Sequence, residues 1–204
     1  MNEKKTANIV WHKSIITRQD KEKLLGQKGV LLWFTGLSAA GKSTIAHALE
    51  ERLFNLGYLT AVLDGDNIRH GLNKDLGFSI KDREDNIRRI GEVAKLFVEN
   101  GIITMAAFIS PYRRDRDRIR ADMKEGDFIE IYVACPLEEL ERRDPKEYYK
   151  KARGGLIKGY TGIDAPYEEP SDCEIILNTS DLSLQECVDI LINYLYQHNI
   201  VMQR

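Results

Sequence analysis

Five largely apolar runs recur along the chain: Val30 to Thr35, Tyr58 to Leu63, Ile102 to Ile109, Phe128 to Val133 and Glu174 to Asn178. Their lack of strict alternation is the pattern of strands covered on both faces. The segments between them carry helical spacing. Thr44 to Leu53 has a stripe at Ile45, Ala48, Leu49 and Leu53, and Asn55-Leu56-Gly57 closes it. From about Lys81 to Asn100 a longer helix places Ile87, Ile90, Ala94 and Phe97 on one face, and Gly101 stops it. A charged helix is expected from about Tyr112 to Lys124, a short one from Leu137 to Arg143, ended by Asp144-Pro145, and a closing one from Leu184 to Gln197. Strands alternating with helices predict an α/β fold: a five-stranded parallel sheet with helices on both faces. Residues 1–29 read as a polar N-terminal arm whose Ile9-Val10-Trp11 and Ile15-Ile16 pack on the domain or on a second subunit. Residues 146–170 are basic, Gly-rich and irregular, and read as a lid segment.

Between the first strand and its helix stands Gly36-Leu37-Ser38-Ala39-Ala40-Gly41-Lys42-Ser43, the G-x-x-x-x-G-K-[ST] phosphate-binding loop. Its glycines let backbone N–H groups turn toward an anion, and the helix that opens at Lys42, Ser43 and Thr44 adds its N-terminal dipole. Lys42 is suited to the outer phosphates and the Ser43 hydroxyl to Mg²⁺. The loop makes this a P-loop NTPase fold and implies a nucleoside triphosphate; it does not name the reaction.

In parallel sheets ligands bind at the carboxyl ends of the strands. Asp64 and Asp66 end strand two, and Ser110 ends strand three beside Ile109. One acid of Asp64/Asp66 suits Mg²⁺ coordination and the other a general base, though Asp-Gly-Asp-Asn is also plain turn chemistry. Arg83 and Asn86 share the inward side of the long helix with Ile87 and Ile90. A cation is disfavoured in a first turn, so Arg83 implies either an anionic ligand or a carboxylate such as Asp82 or Asp85. Arg69 either joins that anion or is a solvated surface group; Arg88 and Arg89 read as solvated or paired. Phe78 and Tyr160, each in a Gly-flanked loop, either stack on a base or pack into the core. Ser110 has no His near it in sequence, which favours binding over nucleophilic attack. Lys146, Lys150, Lys151, Arg153 and Lys158 are either phosphate-closing lid cations or a solvated loop.

Composition narrows the classes. The 204 residues suit one domain and carry a net charge of −2, which disfavours a nucleic-acid surface. No apolar run approaches the roughly 20 residues of a membrane span, so no membrane association is expected. Cys135, Cys173 and Cys187 are widely spaced and form no metal motif, and His12, His47, His70 and His198 are scattered. With no signal peptide at the N-terminus, a cytoplasmic protein is expected.

Taken together, Asn8-Ile9-Val10-Trp11-His12, Trp33-Phe34-Thr35-Gly36-Leu37-Ser38, Asp64-Gly65-Asp66-Asn67-Ile68-Arg69, Gly71-Leu72-Asn73, Leu76-Gly77-Phe78-Ser79, Asn86-Ile87-Arg88-Arg89, Phe108-Ile109-Ser110-Pro111, Arg143-Asp144-Pro145-Lys146 and Thr161-Gly162-Ile163-Asp164 resemble the adenylyl-sulfate kinase family over nearly the whole chain. Glu147-Tyr148 stands where that family commonly has Gly-Leu, Leu140 where it often has Cys, and Tyr160 replaces a usual Phe. The resemblance implies transfer of the ATP γ-phosphoryl group to the 3′-hydroxyl of adenosine 5′-phosphosulfate (APS), with Mg²⁺, by a homodimer that is coupled functionally to an ATP sulfurylase. It implies that Phe78 and Tyr160 sandwich the APS adenine. Arg69, Arg83, Asn86 and the Ile109–Ser110 edge hold the rest of that nucleotide, Asp66 lies at the 3′-hydroxyl, and Ser110 is a catalytic phosphoserine. Direct in-line transfer with Asp66 as base is physically sufficient without that covalent step. The alternatives are another small-molecule P-loop kinase, or a low-turnover nucleotide-binding regulatory module.

Overall fold

The computed structural model describes residues 9–10 and 12–202. Asn8 and Trp11 of the arm motif lie outside the described residues. Strands β1 (Val30–Thr35), β2 (Thr60–Asp64), β3 (Ile103–Ala107), β4 (Phe128–Ala134) and β5 (Ile175–Asn178) form one parallel sheet in the order β2-β3-β1-β4-β5. The central strand explains its own sequence. Val30, Leu32 and Phe34 enter one apolar core, and Leu31 and Trp33 enter the other. Every β1 residue is therefore buried, and no polar alternation survives.

Helices α2 (Lys42–Asn55) and α8 (Leu184–Gln197) cover the first face through Ile45, Leu49, Leu53, Leu191 and Leu195. Helices α4 (Ile80–Val98) and α5 (Arg113–Ala121) cover the second through Ile87, Ile90, Ala94 and Ile119. Each such Leu or Ile side chain contributes about 1.5–3 kcal/mol by leaving water. Gly91 is where α4 and α5 meet: a Cβ there would lie 2.9 Å from Ile119 Cγ1. Ser79 caps α4 through Asp82 N–H, and Ser183 with Glu186 forms a capping box on α8.

Three short helices depart from expectation. The arm contains α1 (Arg18–Leu25), opened by a Thr17/Asp20 capping box and closed by Gly26 at φ 65°. It buries no residue, so apolar periodicity gave no sign of it. Arg18 ties it to Asp127 and to the Gly29 carbonyl. Ile9, Val10, Ile15 and Ile16 are exposed, Ile15 at 94%, so they do not pack on the domain, and of the two expected surfaces only that of a second subunit is left. The acidic turn after β2 continues into α3 (Gly65–Arg69). The lid is not wholly irregular: it holds α6's successor, α7 (Tyr148–Arg153), where α6 is Leu137–Arg143.

Candidate active site

The P-loop follows β1 and bends as its glycines allow. Gly36 sits at φ 149° with any Cβ placed 2.5 Å from the Val133 carbonyl, and Gly41 caps α2 at φ 98°. No side chain caps α2, and its first turn holds no acid, so its leading N–H groups face the loop interior free of local competition. Outer groups grip the loop by its carbonyls instead. Tyr149 O–H donates to Ser38 O at 3.0 Å, and Thr179 O–H to Ala40 O at 3.0 Å. Arg143 holds Thr179 in turn through its hydroxyl and its carbonyl. Lys42 is buried and donates to the carbonyls of Gly36 at 2.9 Å and Leu37 at 2.7 Å. Burial pushes its ammonium down to about 7, against the opposing pull of Asp64 and Asp66.

Asp64 and Asp66 are divided by one residue and by their contacts. Ser43 O–H donates to Asp64 Oδ2 at 2.5 Å, while Asp64 Oδ1 accepts from the N–H groups of Asp66 and Asn67 and so caps α3. Burial would raise the Asp64 carboxyl; those donors outweigh it and hold the group below its ordinary value. An ionised carboxylate touching a P-loop hydroxyl is a hard oxygen donor pair that suits Mg²⁺. Among the described residues no cluster of three acidic, His or Cys side chains forms a metal cage. Asp66 is exposed and ion-paired with Lys146 of the lid, and this contact raises the lysine's pKa. Of the other lid cations, Lys150 pairs with Glu147 and Arg153 with Glu141. The lid rests on the P-loop too, because a Cβ on Gly162 would come within 2.9 Å of Leu37.

Neither carboxylate foreseen as an alternative partner for Arg83 is bonded to it. Asp82 takes the Ser79 hydroxyl, and Asp85 takes Arg88 and Arg89. Arg83 donates to Phe78 O at 3.0 Å, Gly159 O at 2.6 Å and Thr161 Oγ1 at 2.8 Å. It thereby fastens the Phe78 loop to the loop that bears Tyr160. Asp164 shapes that second loop by accepting from the N–H groups of Gly159 and Tyr160. Arg69 donates to the carbonyls of Leu76 and Gly77 and lies 4.4 Å from the Phe78 ring centre. Phe78 is 70% exposed, so it is not a core residue. Tyr160 is half-buried, edge-on to Tyr149 at 5.2 Å. Arg83 and Arg69 each keep guanidinium N–H groups beyond those engaged here.

At the end of β3, Ser110 is 2% exposed with φ 40°. Its Oγ accepts from Trp33 Nε1 at 3.0 Å and donates to Thr35 Oγ1 at 2.9 Å. Thr35 O–H in turn donates to the Ile109 carbonyl at 2.8 Å. Buried Arg116 grips the Ser110 carbonyl, Glu130 and the Glu168 carbonyl. Sequence reading missed Trp33, Thr35 and Arg116 as parts of this corner. Two signals were there: a buried indole N–H needs an acceptor, and Arg116 lies three residues before Ile119, on the same helical face.

The family profile of adenylylsulphate kinase matches residues 28–178. An adenylyl-sulfate kinase of Clostridium acetobutylicum is 56% identical over 201 residues, covering 98% of this chain and 100% of that protein. One of Oceanobacillus iheyensis is 57% identical over 191 residues, covering 94% and 96%. Among solved structures, a Mycobacterium tuberculosis APS kinase in complex with AMPPNP and APS is 44% identical with a TM-score of 0.78, covering 83% of this chain and 98% of that one.

Proposed function

The chain belongs to the adenylyl-sulfate kinase family, whose members transfer a phosphoryl group from ATP, and we propose that its donor and acceptor halves meet on the acidic turn after β2. Asp64 touches the P-loop and Asp66 touches the lid, two residues apart, and this juxtaposition carries the reading. ATP occupies Gly36 to Thr44. Its triphosphate lies on the N–H groups that open α2, and Lys42 leaves the Gly36 and Leu37 carbonyls for the outer phosphates. Asn178-Thr179-Ser180, tied to the loop through Ala40, borders the adenine of ATP. Ser43 and Asp64 would hold Mg²⁺, which supplies neutralising charge to the phosphates.

APS occupies the cleft framed by Phe78 and Tyr160, with its adenine between the rings. Its phosphosulfate and ribose meet the remaining N–H groups of Arg69 and Arg83, the amide of Asn86 and the Ile109–Ser110 edge. Asp66 then exchanges Lys146 for the 3′-hydroxyl and accepts its proton as the oxygen attacks the γ-phosphorus in line. The released Lys146 moves to the phosphoryl group in transfer, where its charge opposes the build-up of negative charge. Lys150 and Arg153 stay paired with Glu147 and Glu141 and shape the lid from outside. Ser110 serves as a fixed support: its hydroxyl is enclosed by Trp33 and Thr35, and among the described residues no His or carboxylate bonds it. The enzyme acts as a cytoplasmic homodimer, downstream of a sulfurylase that makes its acceptor.

The direct test is ADP release with Mg²⁺-ATP plus APS, set against other adenylates and simple alcohols. APS-dependent ADP is expected, and its absence overturns the reading.

A further inference from the structure

Asn73, in the loop between α3 and α4, is wholly enclosed and lies next to Asn86 on α4. Asn73 Nδ2 donates to Asn86 Oδ1 at 2.9 Å, a bond between two buried side chains. The cost falls on Asn73, whose own Oδ1 is buried without a hydrogen-bond partner. The opposite arrangement, with both amides turned over, would bury an unmatched NH₂ group in place of a carbonyl oxygen. An orphaned N–H is the rarer and more expensive defect. The result at Asn86 is one-sided. Its acceptor is engaged, and among the described residues its Nδ2 has no partner and is not sealed from solvent. Asn86 stands one helical turn from Arg83, on the side of α4 that meets the Gly159–Thr161 loop.

We propose that Asn73 is a positioning residue for the acceptor site: by donating to Asn86 Oδ1 it fixes the Asn86 amide with its NH₂ group presented to APS. This rests on Asn86 contacting APS, as argued above. A freely turning amide presents a donor or an acceptor with little preference, whereas an electron-rich sugar or phosphosulfate oxygen accepts only from the donor face. Backbone bonds hold the loop in place independently of the side chain: Asn73 N–H donates to Ile68 O, and Leu76 N–H to Asn73 O.

The test compares Asn73→Asp and Asn73→Leu, each alone and with Asn86→Ala. An ionised Asp of the same shape only accepts, so it draws the Asn86 NH₂ inward and turns its oxygen toward APS. Leu leaves the Asn86 amide free, and APS itself then selects the donor orientation. The expected KM for APS rises about 10–100-fold with Asp and only a few-fold with Leu, the scale of one hydrogen bond to a charged group. The KM for ATP and kcat stay within about twofold. In the Asn86→Ala background neither change adds to the KM for APS. A role in packing alone reverses the order, because Leu disturbs the shape more than Asp does. Equal effects of Asp and Leu, or effects that add to Asn86→Ala, overturn the proposal. If Asp fails to fold, the Leu variant's coupling to Asn86→Ala decides by itself. A normal KM for APS in Asn86→Ala alone instead overturns the assignment of Asn86 to the acceptor site.

Discussion

The P-loop and the acceptor cleft lie on neighbouring strand ends yet are built on opposite plans. The P-loop is local: eight consecutive residues, two glycines at positive φ and one helix start define it, and the donors it offers are largely backbone N–H. The acceptor cleft is assembled from afar. Arg83 reaches 76 residues to Gly159 and 78 to Thr161, and Lys146 reaches 80 to Asp66. A backbone site tolerates many side chains around it, but a site tied by side chains depends on each tie. Substitutions should therefore separate the two halves cleanly.

The largest effect is expected at the turn the two halves share. Asp66→Asn keeps the shape and removes the base, so kcat should fall roughly 10²–10⁴-fold with ATP affinity little changed. Turnover near that of the wild type would remove Asp66 from the chemistry and leave the acidic turn as a structural cap.

The donor half offers a titration. Lys42 has a pKa of about 7 when no phosphate is near. A bound triphosphate favours its charged form and so raises that value. Below pH 7 the lysine is charged in both states, and ATP binding does not depend on it. Above pH 7 binding requires proton uptake, so affinity should weaken with a limiting slope of about tenfold per pH unit. Calorimetry in buffers of different ionisation enthalpy measures that uptake. Lys42→Arg remains charged throughout and should flatten this part of the profile. A wild-type profile as flat as the arginine variant's would show that burial does not discharge Lys42.

These contrasts also explain what could be read from residues alone. The P-loop was legible because its signal is contiguous, and the five strands because each is apolar along its length. Helices α2 and α4 followed from their apolar stripes. Helix α1 did not, since it buries nothing, and α7 did not, since it is six residues opened by Glu147 at φ 55°. In the acceptor half, residue types indicated Phe78, Arg83 and Tyr160, but not what joins them. The carboxylates offered as one alternative for Arg83 do not bond it, and its protein acceptors are two carbonyls and a hydroxyl. Which oxygen lies opposite a guanidinium depends on tertiary approach, which spacing along one helix does not contain.

Phe78→Ala addresses the cleft alone. The ring is exposed, so its loss leaves the core intact. If the ring stacks on the APS adenine, binding should weaken by about 1–3 kcal/mol, read as a raised KM for APS at constant KM for ATP. Arg69 also loses its ring partner, which a companion Arg69→Lys measures: the two changes should combine less than additively. Full additivity would show that Arg69 and Phe78 act separately.

The smallest kinetic effect is expected at Ser110, the residue whose type most invites a covalent role. Its hydroxyl accepts from Trp33 and donates to Thr35, so a nucleophilic step would have to break both contacts inside a buried corner. Among the described residues no His or carboxylate bonds that hydroxyl to take its proton, whereas Asp66 is exposed at the neighbouring strand end. Ser110→Ala leaves the Trp33 N–H without its acceptor and should lower stability by about 1–3 kcal/mol, seen as a lower Tm. It should reduce kcat less than tenfold, because the positive φ and the Arg116 grip on the carbonyl do not need the side chain. A loss matching that of Asp66→Asn would instead give Ser110 a place in the reaction. Stereochemistry at a chiral γ-phosphorus separates the two routes independently of any substitution: one in-line transfer inverts the centre, and passage through a phosphoserine retains it.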